Sequence, residues 1–137
     1  MIVRIWRGWT RPEDTDAYAS YIKETGLAAY SATPGNQGAY LISRPDDDRT
    51  EFLTISFWDS LESIRGFAGD EIEEAVFYPE DDRFLVDRET FVRHYRVHWS
   101  GVAAAHPRPL PRSLRPRDFS RPRWNQIKQR VARRISS

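Results

Sequence analysis

Residues 55–69, "ISFWDSLESIRGFAG", decide the fold because they join a strand to a helix. Apolar residues alternate with polar ones up to Trp58, and this period of two predicts a strand. Asp59 or Ser60 is a typical helix N-cap, and Gly69 is a typical helix end. The helix between them is predicted to bury one face, formed by Leu61, Ile64, Phe67 and Ala68.

The rest of the chain supplies the other elements of a small α+β domain. Its hydrophobic patterns predict strands over 2–9, 39–44, 50–58 and 90–99, and helical segments over 11–30, 60–68 and 71–77. The polar turn "PDDDR", residues 45–49, makes the second and third strands an antiparallel hairpin. The order strand, helix, strand, strand, helix, strand is the ferredoxin-like βαββαβ fold.

One face of the predicted sheet lacks a covering layer, because the helices of this fold pack on the other face. The third strand carries Leu53, Ile55 and Phe57 on one side, and Phe52 and Trp58 on the other. An uncovered apolar face favours a partner. We therefore expect a homodimer joined through the sheet face.

Length and composition limit the kinds of protein and of site that the chain can form. The length of 137 residues suits one domain, placed at residues 1–100, followed by a tail. No cysteine is present, which excludes disulfides, thiolate zinc sites and a cysteine nucleophile. The sequence shows neither a secretory signal nor an apolar run of membrane length, so a cytoplasmic protein is expected.

The tail, residues 101–137, differs in charge from the domain. It holds nine Arg and Lys128 against Asp118, a net charge of +9, whereas residues 1–100 carry −8. Its Pro/Arg-rich composition predicts a basic, extended C-terminal extension, and residues 124–135 suit a short amphipathic helix. We expect the tail to contact either an acidic surface of its own dimer or an anionic partner, such as nucleic acid or a membrane surface.

The stretch "FWDSLESIRGF", residues 57–67, together with the first helix and the "PGN" loop at residues 34–36, resembles the antibiotic biosynthesis monooxygenase (ABM) family. The resemblance covers residues 1–100 and leaves out the tail. It implies a dimeric α+β barrel. It also implies one of two chemistries: oxygenation of polycyclic aromatic substrates without metal or flavin, or oxidative degradation of heme.

The heme-degrading branch of that family uses a His on the second helical segment, an Asn on strand one and a Trp on the helix after strand three. In this chain Phe77 and Tyr78 stand where the His is wanted. Strand one offers Arg4 and Arg7 instead of an Asn, and Phe67 stands near the place of the Trp. The resemblance therefore favours chemistry without a cofactor, and heme is the less favoured alternative.

Three side chains are candidates for catalysis: His94, Arg4 and Arg7. His94 titrates near neutral pH and suits a general base; the alternative is a sheet histidine held by a cross-strand hydrogen bond. His98 lies about 13 Å further along the strand, so the pair cannot share a metal ion. Arg4 and Arg7 fall on opposite faces, where each anchors a carboxylate or enolate or forms an interface salt bridge.

Six aromatic residues are candidates for lining a cleft between the sheet and the helices. Such a cleft binds a flat apolar ligand, and the alternative for each residue is core filling. The six candidates are Trp6, Tyr40, Trp58, Phe67, Phe77 and Tyr78.

The acidic run "PEDDRF", residues 79–84, places three carboxylates in a row beside Arg83. Paired carboxylates can perform acid–base chemistry, but a run of adjacent charges is typical of a solvated turn. We therefore expect Glu80, Asp81 and Asp82 to be exposed.

Together these features predict a small ABM-like monooxygenase that oxidises an aromatic or polyketide-like molecule without metal or flavin. In such a reaction the deprotonated substrate itself gives an electron to dioxygen, so the protein supplies a base, a cation and a dry aromatic pocket. Two alternatives stay open. One is a non-catalytic dimer that binds a small molecule or heme, and the other is an interaction protein that uses its basic tail.

Overall fold

The computed structural model describes residues 1–101, 106 and 108–116, and the chain divides into two units after Ser100. The strands of the first unit are β1 (Ile2–Thr10), β2 (Asn36–Asp46), β3 (Arg49–Trp58), β4 (Leu85–Arg88) and β5 (Arg93–Arg96). Its helices are α1 (Thr15–Ile22), α2 (Ala28–Ala32), α3 (Leu61–Ala68) and α4 (Asp81–Phe84). In the second unit a 3₁₀ turn spans Arg112–Leu114, and the predicted helix over 124–135 lies outside the described residues.

The strands form one antiparallel sheet in the order β2-β3-β1-β4, and β5 pairs with β1 on the same edge as β4. With the helices between them, this is the ferredoxin-like α+β arrangement, and that prediction is confirmed. No helix in the described part of the chain is long and apolar enough to cross a membrane.

The predicted final strand over 90–99 is wrong in extent. The edge of the sheet consists of two short strands, β4 and β5, because the residues between them turn away from β1. Val92 N donates to the Glu73 carbonyl at 2.8 Å, and Ala75 N donates to the Thr90 carbonyl at 2.9 Å. The predicted helix over 71–77 is also wrong: the segment makes one turn, in which Glu74 N donates to the Glu71 carbonyl at 3.0 Å, and then pairs with the chain before β5.

The first helical region begins with a 3₁₀ turn, Pro12–Asp14, and contains a π-helical segment, Lys23–Leu27, between α1 and α2. Gly26, a residue type that often ends or kinks a helix, lies buried in that segment. The helical region therefore continues past the glycine with a local change of hydrogen bonding rather than ending there.

Strands β2 and β3 form the predicted hairpin. Asp46 pairs with Arg49 across a two-residue turn. Asp47 in this turn has a φ of 52°, in the left-handed region, which aspartate tolerates better than most residues.

The core lies between the sheet and the helices, because even-numbered residues of β1 and β3 face the helical layer. Trp6 and Phe52 pack with Tyr18 of α1, and Trp58 packs with Ile64 of α3. Ile64 and Trp58 are both fully buried. The helix-facing side of the sheet therefore holds the cavity described below.

The open face of the sheet is formed by the odd-numbered residues of β1 and β3 and their neighbours on β2 and β5. Leu53, Ile55 and Phe57 lie there and are only partly buried, so the predicted division of β3 between two faces is confirmed. Tyr40 pairs with Ile55 and is 65% exposed, and Ile42 is 45% exposed. No other element of residues 1–101 covers this face.

The junction between β3 and α3 is closed by its own side chains. Ser60 is the N-cap of α3 and accepts a hydrogen bond from Ser63 N at 3.2 Å, which decides between the two predicted caps. Gly35 approaches this cap so closely that a Cβ on it would lie 2.1 Å from Ser63 Oγ, and its φ is +90°. Only glycine fits there.

Candidate functional site

A cavity lies between the helix-facing side of the sheet, the helical region of α1 and α2, and residues 75–78. Its volume is small, about 30 Å³ for the centre of a water molecule. That is room for about two waters. Apolar and aromatic side chains make up most of its wall, and Arg4 and Asp81 are its two charged residues.

The structure brings five of the nine predicted site residues together in the wall of this cavity. They are Arg4, Trp6, Phe67, Phe77 and Tyr78. The other four lie elsewhere: His94 behind Arg4, Trp58 in the core, and Arg7 and Tyr40 on the open face.

Arg4 is a buried cation whose partners are uncharged. It is 2% exposed, and its guanidinium donates to the carbonyls of Ile72 and Glu74, the latter at 2.9 Å. No salt bridge to a carboxylate forms within the described part of the chain. Burial lowers the pKa of Arg4 from its ordinary value, yet a guanidinium keeps its charge in proteins. The charge of Glu73 acts on Arg4 in the opposite direction to burial, but without a salt bridge. Arg4 therefore brings to the cavity a positive charge that no direct ion pair neutralises.

His94 pairs with Arg4 across strands β1 and β5, and Arg4 Nη1 lies 3.0 Å from His94 Nε2. A guanidinium only donates hydrogen bonds, so Nε2 accepts and the ring proton resides on Nδ1. Burial, and then the Arg4 charge, lower the pKa of His94 and keep it neutral. The general-base role of His94 stays a prediction, but its Nε2 lone pair is engaged in holding Arg4.

Trp6 forms one aromatic wall of the cavity. Its indole Nε1 donates to the Glu89 carbonyl at 2.8 Å, and its ring meets Phe77 edge to face at 6.3 Å. The indole lies over Gly8, where a Cβ would come within 2.4 Å of the ring. A glycine at this position of β1 therefore lets the tryptophan lie flat against the sheet.

Trp58 and Phe67, the aromatic pair of the strand-to-helix stretch, have different positions. Trp58 is fully buried, and its Nε1 donates to Ser56 Oγ at 2.9 Å, so it fills the core. Phe67 stacks on Trp58 at 5.9 Å on one side, and the Arg4 guanidinium lies 5.8 Å from its ring. Phe67 therefore links the core to the cavity.

Arg7 and Tyr40 lie on the open face, away from the cavity. Arg7 is paired with Glu89 at 2.7 Å and lies over the Trp9 ring at 5.0 Å. Tyr40 meets Phe57 edge to face at 6.3 Å. The structure separates both from the five residues that line the cavity.

Asp81 is the site residue that sequence reasoning missed. It was expected to be exposed with Glu80 and Asp82, but it is 2% exposed and lines the cavity, so that prediction is wrong for Asp81. Its Oδ2 accepts a hydrogen bond from Tyr78 N at 2.6 Å, which turns the carboxyl inward as the first residue of α4. No local pattern distinguishes Asp81 from its acidic neighbours Glu80 and Asp82, so the sequence carried no signal for its burial.

A heme iron needs an axial ligand, usually a histidine, cysteine, methionine or tyrosine. The described cavity residues with ligating side chains are Tyr18, Tyr30, Tyr78 and Asp81. The Nε2 atom of His94 is engaged by Arg4. The residues present therefore do not fit a histidine-ligated heme. Within the described ranges no group of three or more His, Cys, Asp or Glu side chains is arranged to hold a metal ion.

The family of the chain is decided by its first half. A sequence model described as "Antibiotic biosynthesis monooxygenase" (ABM) matches residues 1–72. The chain belongs to the ABM family. The match includes Arg4, Trp6 and Phe67 of the cavity, whereas Asp81 lies after its end.

Comparison with solved structures finds similar chains. A Bacillus cereus protein assigned to the antibiotic biosynthesis monooxygenases is 11% identical, with a TM-score of 0.54 over 74% of this chain and 97% of that one. The heme-degrader MhuD from Mycobacterium tuberculosis, solved with two hemes in its active site, is 16% identical, with a TM-score of 0.47 over 74% and 100%. At 11% identity the likeness to the Bacillus cereus structure concerns the fold alone. Comparison with curated proteins finds no match.

Proposed function

We propose that this ABM protein is a monooxygenase that oxidises an aromatic small molecule with dioxygen, without a metal or flavin. The observation that carries the proposal is the cavity beside Arg4: an aromatic enclosure holding a buried guanidinium that forms no salt bridge with a carboxylate among the described residues. Such a site stabilises an aromatic molecule that becomes an anion.

The proposed reaction balances with dioxygen alone as oxidant. A base takes the proton of an aromatic hydroxyl, and the phenolate passes one electron to dioxygen. The substrate radical and superoxide then form a C–O bond at a ring carbon that bears hydrogen. The peroxide regains a proton, and loss of water leaves a second carbonyl, so that a phenol and one dioxygen give a quinone and one water.

Arg4 supplies the electrostatic part of this sequence. A positive charge in a water-excluded site stabilises the phenolate, and later the peroxide, more than the neutral ground state. His94 holds the guanidinium in place through the contact with Nη1. In this proposal Arg4 is a catalytic residue and His94 a positioning residue.

The enclosed space holds about two waters, so a polycyclic substrate enters only if part of the wall moves. Residues 75–78 form that wall and contain neither helix nor strand. Ala75 is bonded to Thr90, whereas Phe77 is 37% exposed. Displacement of Phe77 and its neighbours opens the cavity without breaking the sheet.

The test is oxygen uptake by the purified protein with anthrone, whose enol form is a phenol, as the probe. We expect one dioxygen consumed for each anthraquinone formed, with no release of hydrogen peroxide. No uptake above the uncatalysed rate, or release of peroxide in place of water, contradicts the proposal.

A hemin titration separates this function from the heme alternative. The proposal expects no stoichiometric Soret shift. A sharp shift that is lost in His94→Ala would instead support a heme-binding protein, in which Arg4 gives up its contact with His94.

We also propose that the open face joins two copies of the chain, as the family implies. The support is its apolar composition, with Tyr40 65%, Tyr95 50% and Ile42 45% exposed. Light scattering is expected to give twice the monomer mass. Ile42→Lys is expected to give the monomer, with Leu61→Lys, another exposed apolar site, as the matched control. A monomeric wild type contradicts this.

The basic tail stays a separate prediction. Its charge of +9 against −8 for residues 1–100 supports contact with an acidic surface. Deletion of residues 101–137 is expected to leave anthrone oxidation unchanged and to remove any salt-sensitive binding to anionic vesicles or nucleic acid. Equal binding with and without the tail contradicts this.

A further inference from the structure

Two polar atoms of the cavity wall are buried without a hydrogen-bond partner among the described residues. They are the hydroxyl of Tyr18 and Oδ1 of Asp81. Tyr18 is fully buried and Asp81 is 2% exposed, and both residues line the cavity. Buried polar groups are almost always paired, so two orphans facing one cavity require an account.

Both groups are held in place by other contacts, so neither is a loose side chain. The other carboxyl oxygen of Asp81 accepts from Tyr78 N at 2.6 Å, and Asp81 N donates to the Tyr78 carbonyl at 3.0 Å. The Tyr18 ring meets Phe52 at 5.1 Å and Phe84 at 5.7 Å. Their free oxygens are therefore preorganised.

The two free atoms have complementary hydrogen-bonding capacity. Burial raises the pKa of Tyr18, so its hydroxyl remains a donor at neutral pH. A carboxylate at Asp81 only accepts. A hydroxyl group satisfies a donor and an acceptor together, and a phenolic hydroxyl also brings an aromatic body that suits the aromatic wall of the cavity.

We propose that Tyr18 and Asp81 form the hydroxyl-binding end of the cavity, and that Asp81 takes the proton of a phenolic aromatic ligand bound there. The binding part of this inference stands by itself. The proton-transfer part rests on the proposed monooxygenase function.

The proton balance then closes within the cavity. Asp81 Oδ1 takes the hydroxyl proton, and the Tyr18 hydroxyl donates to the phenolate oxygen that remains. After dioxygen has added to the ring, the protonated Asp81 returns the proton to the peroxide and is again a carboxylate. Burial raises the pKa of Asp81 toward neutral pH, where a general base works best.

The assignment to Asp81 also uses a free lone pair, which His94 does not offer through Nε2. Arg4 and Asp81 line the same cavity, so one supplies the cation and the other the base. The wall between them is aromatic and apolar, with Trp6 and Phe67 among its members.

Binding is tested with 1-naphthol and 1-methoxynaphthalene, two probes of the same ring system of which only the first donates a hydrogen bond. Wild type is expected to bind 1-naphthol about tenfold more tightly by calorimetry. Tyr18→Phe and Asp81→Asn are expected to remove this preference. Asp82→Asn, whose side chain is 87% exposed on the same helix, is the matched control and retains it.

Equal affinities of wild type for the two probes overturn the proposal, as does an unchanged preference in both variants. Thermal melting of each variant shows whether it is folded. Tyr18→Phe keeps the buried ring and removes only the hydroxyl, so it decides the question if Asp81→Asn fails to fold.

Turnover measurements test the role of Asp81 as a base separately from its role in binding. Asp81→Asn is expected to lower kcat for anthrone about 100-fold or more, whereas Asp82→Asn stays near wild type. If wild type oxidises no phenol, the proposed function is contradicted. The preference for 1-naphthol then tests the proposed binding site by itself. If wild type turns over and Asp81→Asn matches it, the base assignment falls while the function stands.

Discussion

Two arginines of strand β1 lie on opposite faces of the sheet and differ in burial and in bonding partners. Arg4, on the helix-facing side, is 2% exposed and bonded to backbone carbonyls and His94. Arg7, three residues later on the open face, is paired with Glu89 at 2.7 Å. The two side chains carry the same charge. That of Arg7 is neutralised by a carboxylate, whereas that of Arg4 remains available to an anion.

The difference distinguishes polar groups that are paired within the protein from polar groups that are free to bind a ligand. On the open face the polar groups are satisfied: Arg7 by Glu89, and the Trp9 indole by Asp46 at 2.9 Å. On the cavity side, among the described residues, Arg4 forms no salt bridge and Asp81 keeps an unpaired oxygen. Natural proteins leave such groups unpaired mainly at functional sites.

The largest contrast is expected in stability. Trp58→Ala removes a fully buried indole and is expected to lower the free energy of unfolding by about 4 kcal/mol. Tyr40→Ala, on the open face, is expected to cost less than about 1 kcal/mol in dilute protein. Urea unfolding measures both. A Tyr40 effect that grows with protein concentration would place Tyr40 in the dimer interface, and equal effects would break the contrast between the faces.

The next contrast is in activity. Arg4→Met is expected to lower kcat for anthrone about 100-fold, equivalent to about 2.7 kcal/mol of lost transition-state stabilisation. Arg7→Met is the matched control and is expected to stay within about threefold, since its charge is already paired. Melting curves are needed beside the kinetics, because Arg4 also holds the carbonyls of Ile72 and Glu74. Arg4→Lys keeps a charge and separates the two roles.

The smallest effect is a pH dependence at Asp81. Burial raises its pKa in the folded state, so its contribution to stability is fully present below the unfolded pKa and is lost as pH rises through the folded pKa. Asp81→Asn is therefore expected to gain stability relative to wild type as pH rises from the unfolded pKa of aspartate, about 3.9, through the folded pKa. Tyr78 N–H, Arg88 and Asp82 also act on the pKa of this carboxyl, and its charge in turn raises the pKa of Tyr18.

Unfolding free energies of the two proteins across this range make the comparison. A difference that stays flat with pH would show that the Asp81 carboxyl is not buried in solution. If the stability of Asp81→Asn relative to wild type falls as pH rises, a partner stabilises the carboxylate. That result would contradict the inference that Oδ1 has no partner.

Patterns local in sequence predicted much of this molecule. The period of two placed Phe52 and Trp58 on one face and Leu53 on the other, because neighbouring side chains of a strand point to opposite sides. The hairpin and the N-cap at Ser60 follow from residues close together in the chain. The aromatic composition of the cavity was predicted for the same reason, although Trp58 itself proved to be core.

What the sequence by itself determined was the order of the elements, the faces of the strands and the aromatic character of the domain. Tertiary structure alone decided that Arg4 meets His94 and Ile72, which lie 90 and 68 residues away. It also decided that Asp81, in an acidic run typical of a solvated turn, is buried. A charge pattern records only neighbours along the chain, whereas burial and pairing depend on segments that the fold brings together.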